Sequence, residues 1–196
     1  LEYTGCSINQ IEIIKGKTLV ILLNHNTIVL FDTKTETFIS KSFSESINLL
    51  SIYEDNLFMS MGCNIVLIGL KDVTIVKQWE ANEIIRYFTI YDYNNFNLEI
   101  IYVNDKNELK FYSKGYLFDP KYRLMYKEDI KIDKVIYQNG LLIWNSGLNI
   151  KLFDLQNKKM LFKKNYDSYS KGSDTIDFLL FDNYLVLNVK KRIILV

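Results

Sequence analysis

The residues able to do chemistry in this chain are few and far apart. His25 is the single histidine, and Cys6 and Cys63 are the two cysteines. A zinc site takes three or four protein ligands and acyl transfer takes a nucleophile beside a base, so these residues lack the minimum parts for either. No His-Glu-x-x-His, Cys-x-x-Cys, Gly-x-Ser-x-Gly, Walker or Gly-x-Gly-x-x-Gly pattern occurs. Carboxylates recur at Asp32, Asp55, Asp154 and Asp182, in stretches rich in Asn, Lys and Thr, a setting in which Asp closes turns and strand ends. The sequence therefore predicts no catalytic residue, no cofactor and no metal site, and the thiols read as buried or half-buried structural residues.

Two basic stretches remain. Lys158, Lys159, Lys163 and Lys164 lie in NKKMLFKK, and Lys190, Lys191 and Arg192 lie in VKKR. Both read as hairpin turns, either solvated turns that protect strand edges or a basic surface for a phosphoinositide or an acidic partner. The whole chain of 196 residues has a formal charge of +1, with 24 Lys and Arg against 23 Asp and Glu. That balance supplies no field to draw it to nucleic acid. Apolar runs fall far short of the roughly 20 residues that span a bilayer as a helix. Few cysteines and no Asn-x-Ser/Thr acceptor favour a reducing, intracellular setting.

What must position these residues is a set of strands. Short runs of Ile, Val, Leu, Phe and Tyr alternate with Asn, Asp, Gly and Lys turns, and no sustained helical period appears. A turn between a first and second strand is expected at Gly16, Asn56, Asn95, Gly140 and Asn183, at intervals of 40, 39, 45 and 43 residues. A period near 42 with three or four strands per unit is the signature of β-propeller blades. The second strands, such as LVILL and LLIW, are almost wholly apolar, as suits a strand buried on both faces between neighbouring blades. Val20, Leu22, Phe58, Ile101, Leu142, Trp144 and Leu185 are expected to be buried there.

Third strands follow as TIVLFDT, NIVLIGL, ELKFYSK and NIKLFDL, and Phe31-Asp32 and Phe153-Asp154 stand where WD40 repeats carry Trp-Asp. The Gly-His dipeptide of that class is absent, so its usual His-Asp network cannot be built. The fold class expected is all-β: a WD40-like β-propeller fragment of about four and a half blades of four-stranded antiparallel sheets in an incomplete ring. Blades are expected at about 8-44, 46-82, 84-128, 130-168 and 174-196, the last incomplete. An open ring leaves strand edges and a blade face uncovered, and the chain starts at Leu1, so it is expected to be a piece of something longer.

Residues 133 to 165, DKVIYQNGLLIWNSGLNIKLFDLQNKKMLFKKN, carry a more specific likeness. This stretch resembles the N-terminal propeller of the vacuolar protein sorting-associated protein 41 family, in which an apolar strand ending in Ala-Trp leads through an Asn/Gly turn to Val-Lys-Ile-Phe-Asp and a basic strand. Trp144, Asn145, Gly147, Ile150, Lys151, Leu152, Phe153 and Asp154 occupy those places. NELKFYSKGYLFDPKYRLMYKED is similar to a third strand followed by an aromatic, basic insertion, and FLLFDNYLVLNVKKRIIL to the following blade. The likeness covers about residues 84 to 196 and fades toward the N-terminus.

The resemblance implies a non-catalytic scaffold in the HOPS complex, which tethers late endosomes, vacuoles or lysosomes before fusion. Its implied partners are other tethering-complex subunits, a Rab GTPase or an adaptor, with peripheral membrane association through those partners and a cytoplasmic location at the late endosome or vacuole. The alternative is a WD40-like propeller of another intracellular assembly, in ribosome biogenesis or a coat complex. A propeller enzyme would need clustered carboxylates, histidines or metal at its channel, and the sequence offers only scattered Asp and Glu.

Overall fold

A computed structural model describes residues 5–94, 97–115, 120–166, 176–181, 184–189 and 192–195. Blade 1 is β1 (Ile8–Ile14), β2 (Thr18–Leu23), β3 (Thr27–Asp32) and β4 (Thr37–Ser42). Blade 2 is β5 (Ile47–Tyr53), β6 (Asn56–Met61), β7 (Asn64–Gly69) and β8 (Thr74–Glu80). Blade 3 is β9 (Ile85–Tyr93), β10 (Leu98–Asn104), β11 (Glu108–Lys114) and β12 (Lys121–Lys127). Blade 4 is β13 (Ile132–Gln138), β14 (Leu141–Ser146), β15 (Asn149–Asp154) and β16 (Lys159–Asn165). Blade 5 has three described strands, β17 (Asp177–Phe181), β18 (Tyr184–Val189) and β19 (Arg192–Leu195). Every sheet is an antiparallel meander in chain order. The fold is thus all-β, a run of propeller blades.

Local chemistry explains the meanders. Lys15 and Gly16 both have positive φ, and Lys17 N–H closes onto the Ile14 carbonyl at 3.1 Å. Asn24 and His25 repeat that conformation between β2 and β3, as Asn139 and Gly140 do between β13 and β14. Two central residues at φ > 0 make the turn whose twist matches the flanking strands, and Gly and Asn adopt it at least cost. The positions expected at Asn95 and Asn183 lie outside the described residues. Asn56 opens β6, and the turn itself falls on Glu54 and Asp55.

The period of two along each second strand divides the core. Leu57 and Met59 face blade 1, packing with Val20, Leu22, Ile28 and Leu30, while Phe58 between them joins Ile100 and Tyr102 of blade 3. Ile101 turns to blade 4, where Leu142 and Trp144 meet it, and Ile143 turns to Phe178, Leu185 and Leu187 of blade 5. Each apolar cluster is therefore the layer between two consecutive blades, and alternate residues of one strand serve opposite layers. Val20, Leu22, Phe58, Ile101, Leu142, Trp144 and Leu185 are all buried.

Side chains also sew the inner strands together. The Gln10 amide mimics a strand neighbour, accepting from Leu50 N–H at 2.8 Å and donating to the Leu50 carbonyl at 2.9 Å. Asn48 donates to the Ile85 carbonyl at 3.0 Å, Tyr137 N–H donates to the Thr89 hydroxyl at 3.3 Å, and Lys134 donates to the Phe178 carbonyl at 2.8 Å. These bonds join β1 to β5, β5 to β9, β9 to β13 and β13 to β17.

Candidate functional site

Glu128, in the connection from β12 to β13, is only 9% exposed. Its Oε1 accepts from Trp144 Nε1 at 2.6 Å and from Lys151 Nζ at 2.5 Å. Trp144 and Lys151 stand directly opposite one another on β14 and β15. Lys151 Nζ also lies 4.6 Å from the centre of the Tyr126 ring. A buried ammonium is tolerable only when paired and hydrogen-bonded, and here a carboxylate and an aromatic face supply both.

Blade 3 repeats the arrangement. Glu83, from the connection between β8 and β9, accepts from the Tyr102 hydroxyl at 2.5 Å and from Lys110 Nζ at 2.7 Å. Tyr102 and Lys110 are again opposite one another. Asn104 extends the network, donating to Glu83 Oε2 at 2.8 Å and to Glu108 Oε2 at 2.9 Å. Bonds from Asn104 and Lys110 hold the Glu108 carboxyl down at about 2. Burial works against ionisation of Glu83, but the bonds from Lys110, Tyr102 and Asn104 outweigh it and keep that carboxyl below its ordinary value. A Glu from the connection thus clasps an aromatic donor and a Lys in each of two consecutive blades. The signal was an acidic residue ahead of each blade and a lysine inside each third strand, in ELKFYSK and NIKLFDL.

The other residues singled out by sequence are dispersed. Phe31 and Phe153 are half-buried near the ends of β3 and β15. Asp32 accepts from the N–H groups of Thr35 and Lys34 at 3.1 and 2.8 Å, which lowers its pKa. Asp154 does the same with Asn157 N–H at 2.9 Å, and its pKa is also lowered. Asp55 pairs with Lys15 at 2.6 Å, and Asp182 lies outside the described residues. Gly147 has φ +55° and donates to Asp133 at 3.2 Å. Cys6 and Cys63 are half-buried and free.

The basic stretches need correcting. Lys158 is in a turn, but Lys159 opens β16, and Lys163 and Lys164 lie within that outer strand rather than at a hairpin turn. Met160 packs into the layer toward blade 3 and Phe162 into the layer toward blade 5, across a register irregularity between them, so NKKMLFKK is an outer strand with exposed lysines. Lys190 and Lys191 lie outside the described residues, as does the side chain of Arg192, which opens β19.

Beside the Glu128 clasp lies an apolar groove that sequence reading passed over as part of an insertion. Residues 121–127 of that stretch are the outer strand of blade 3. Arg123, Leu124, Met125 and Tyr126 line a cavity of about 260 Å³ whose opposite wall is Trp144, Phe153 and Leu155 of blade 4. Lys158 stands at its rim and no carboxylate lines it. A second cavity continues from it, sharing Arg123 and Leu155 and adding Lys121 and Glu99. The Glu99 carboxylate there accepts from the Ser113 hydroxyl at 2.9 Å. Arg123 lies 5.5 Å from the centre of the Phe111 ring.

The inner strands enclose a third, more polar cavity of about 910 Å³. Three pairs of its polar side chains are engaged with one another: Asn9 with His25 at 2.9 Å, Gln10 with Glu12 at 2.7 Å, Lys134 with Asp177 at 2.7 Å. Among the described residues no group of three or more His, Cys, Asp or Glu side chains could hold a metal ion. No helix among them is long and apolar enough to cross a membrane.

No family model matches the sequence, and no curated protein matches it. Solved structures do match in fold. The β-propeller domain of Myceliophteria thermophila Cps50 (Swd1) is similar with a TM-score of 0.67 at 12% identity, over 96% of this chain and 65% of that one. A chain of the mitotic checkpoint complex is similar with a TM-score of 0.63 at 10% identity, over 95% of this chain and 63% of that one. The dihydro-heme d1 dehydrogenase NirN is similar with a TM-score of 0.58 at 12% identity, over 92% of this chain and 42% of that one. At such identities the likeness establishes a WD40-like β-propeller and nothing finer. The chain spans less than two thirds of each of these chains.

Proposed function

We propose that the protein is a non-catalytic interaction propeller, serving an intracellular tethering assembly of the HOPS kind at late endosomes or vacuoles. One observation carries the scaffold reading. In the central cavity Asn9, His25, Gln10, Glu12, Lys134 and Asp177 are engaged with one another and with neighbouring strands, while apolar and cationic side chains line a groove open at the outer surface. A propeller enzyme would place unengaged, convergent acids, bases or metal ligands at its centre. The likeness to NirN shows that the fold also serves catalysis, so it is the engaged state of these side chains, and not the fold, that favours binding over chemistry.

The tethering assignment rests on the resemblance of residues 133 to 165 to the vacuolar protein sorting-associated protein 41 family. Membrane association would then come through protein partners, since the near-zero net charge offers an anionic bilayer little attraction. Affinity capture with the full-length protein tests both parts. Recovery of other tether subunits or a late-endosomal Rab supports the assignment. Recovery of pre-ribosomal or coat proteins rejects tethering and keeps the scaffold, and recovery of no protein rejects the scaffold itself.

A further inference from the structure

The groove between blades 3 and 4 has a geometry suited to one kind of ligand. Successive side chains on a strand point to opposite faces of its sheet. Four consecutive residues of β12, Arg123 to Tyr126, nevertheless line one cavity, because the pairing with β11 slips between Leu109 and Lys110 and leaves Met125 as a bulged residue. The outer edge of β12 beside that cavity is free, because β12 ends its sheet and pairs only with β11. An unpaired strand edge beside an apolar trough is the setting in which an extended peptide adds as a further strand, with main-chain bonds for affinity and a side-chain pocket for selection.

The size and charge of the trough narrow the ligand. At about 260 Å³ the trough suits one or two apolar side chains, and the adjoining cavity of about 650 Å³, which shares Arg123 and Leu155, leaves room for an extended chain beside it. Leu124 is 55% exposed at the mouth of the trough. The charges lining it are Arg123 and Lys158; the adjoining cavity adds Lys121 and Glu99, whose carboxylate is bonded by the Ser113 hydroxyl. Among the described residues none of these three cations is in a salt bridge, whereas Lys110, Lys127 and Lys151 nearby are each paired with Glu. The cationic rim is therefore available, and the Glu128 carboxylate that could have opposed an anion is already held by Lys151 and Trp144.

We propose that β12 and this groove bind an extended acidic peptide segment of a partner protein, with an apolar anchor residue seated against Leu124, Phe153 and Leu155 and acidic residues beside Arg123 and Lys158. This deepens the scaffold reading and rests on it, but not on the tethering assignment. The occupant is an acidic peptide because the cavity lining pairs apolar surface with two cations and no anion.

The test selects displayed random nonapeptides on the protein and measures the enriched peptides by fluorescence anisotropy. Enriched sequences should carry Asp or Glu flanking an apolar residue. Their affinity should fall at least tenfold in Leu124→Glu and about threefold to tenfold in Lys158→Glu, and should weaken with added salt. Leu124 and Lys158 are exposed, so both variants should keep the wild-type melting temperature within a few degrees. Amide hydrogen exchange on the bound protein should show new protection along β12, which contact through side chains alone would not produce. Basic or purely apolar peptides, no enrichment, unchanged affinity in Leu124→Glu, or no protection along β12 would each overturn the proposal. So would binding to phosphatidylserine vesicles that competes with the enriched peptides, since it would make the cations a lipid contact. If wild-type protein and Leu124→Glu capture the same partners, the groove proposal fails while the scaffold reading stands.

Discussion

In blade 2 the residues facing blade 1 across the second and third strands are Met59 opposite Val66, both buried. At the equivalent places of blade 4, facing blade 3, stand Trp144 opposite Lys151, held by Glu128. Blade 5 resembles blade 2, with Leu187 opposite Ile194, and blade 3 resembles blade 4, with Tyr102 opposite Lys110. The connection ahead of blade 2, Ser44 to Ser46, is exposed, whereas those ahead of blades 3 and 4 send a glutamate inward. An apolar pair fills a layer and accepts any neighbour of suitable shape. A glutamate clasp also ties the connection to the next blade and admits one partner only. The outer groove lies against the clasped layer between blades 3 and 4, so the clasp holds rigid the wall on which a ligand would seat.

Breaking the clasp should separate the two kinds of layer. Trp144→Ala removes a fully buried ring and a hydrogen bond to Glu128, and should cost about 3–5 kcal/mol in chemical denaturation. A loss below about 1 kcal/mol would mean the layer does not depend on this residue. Lys151→Met leaves Glu128 a buried carboxylate without its cation and should cost about 3 kcal/mol. Adding Glu128→Leu to that variant makes the layer resemble that of blade 2 and should recover part of the loss. If the double variant is less stable than Lys151→Met alone, the comparison between apolar and clasped layers is wrong.

A smaller effect concerns acid. Glu108 is held at about 2 in the folded protein against an ordinary value of 4.5, and Glu83 is lowered as well. A carboxylate whose folded pKa is depressed contributes stability that is fully present above its unfolded pKa and is lost as pH falls through the folded one. Stability should therefore decline from about pH 4.5 toward pH 2, and Glu108→Gln should flatten that decline in pH-dependent melting curves. An unchanged slope would show that the blade 3 network does not hold charge as described. The smallest effect is expected where blades 1 and 2 meet at the surface. Lys15 and Asp55 are 50% and 54% exposed, so Lys15→Ala should change stability by no more than about 0.5 kcal/mol. A larger loss would mean that the first layer, too, relies on a polar tie.

Sequence and structure agree where the cause is local. The turn at Lys15 and Gly16, and that at Asn139 and Gly140, follow from residues that tolerate positive φ between two apolar runs. The burial of Phe58, Ile101 and Trp144 follows from second strands that are mostly apolar on both faces. Agreement weakens where a boundary depends on pairing. Lys163 and Lys164 read as a charged turn, yet pairing with β15 and the packing of Met160 and Phe162 into the layers on either side make a strand of the segment.

By itself the sequence determined an all-β chain of repeated hairpins and the alternation that packs one blade on the next, because turn conformation and side-chain period act over a few residues. Only the tertiary structure decided that Glu128 meets Trp144 and Lys151, 16 and 23 residues further along the chain, and that Arg123 and Lys158 frame one groove. Those encounters form when one blade lies against the next. Their residues lie too far apart in the chain for a local pattern to pair them, and the bonding and desolvation that give them their chemistry exist only once the layer between the blades has closed.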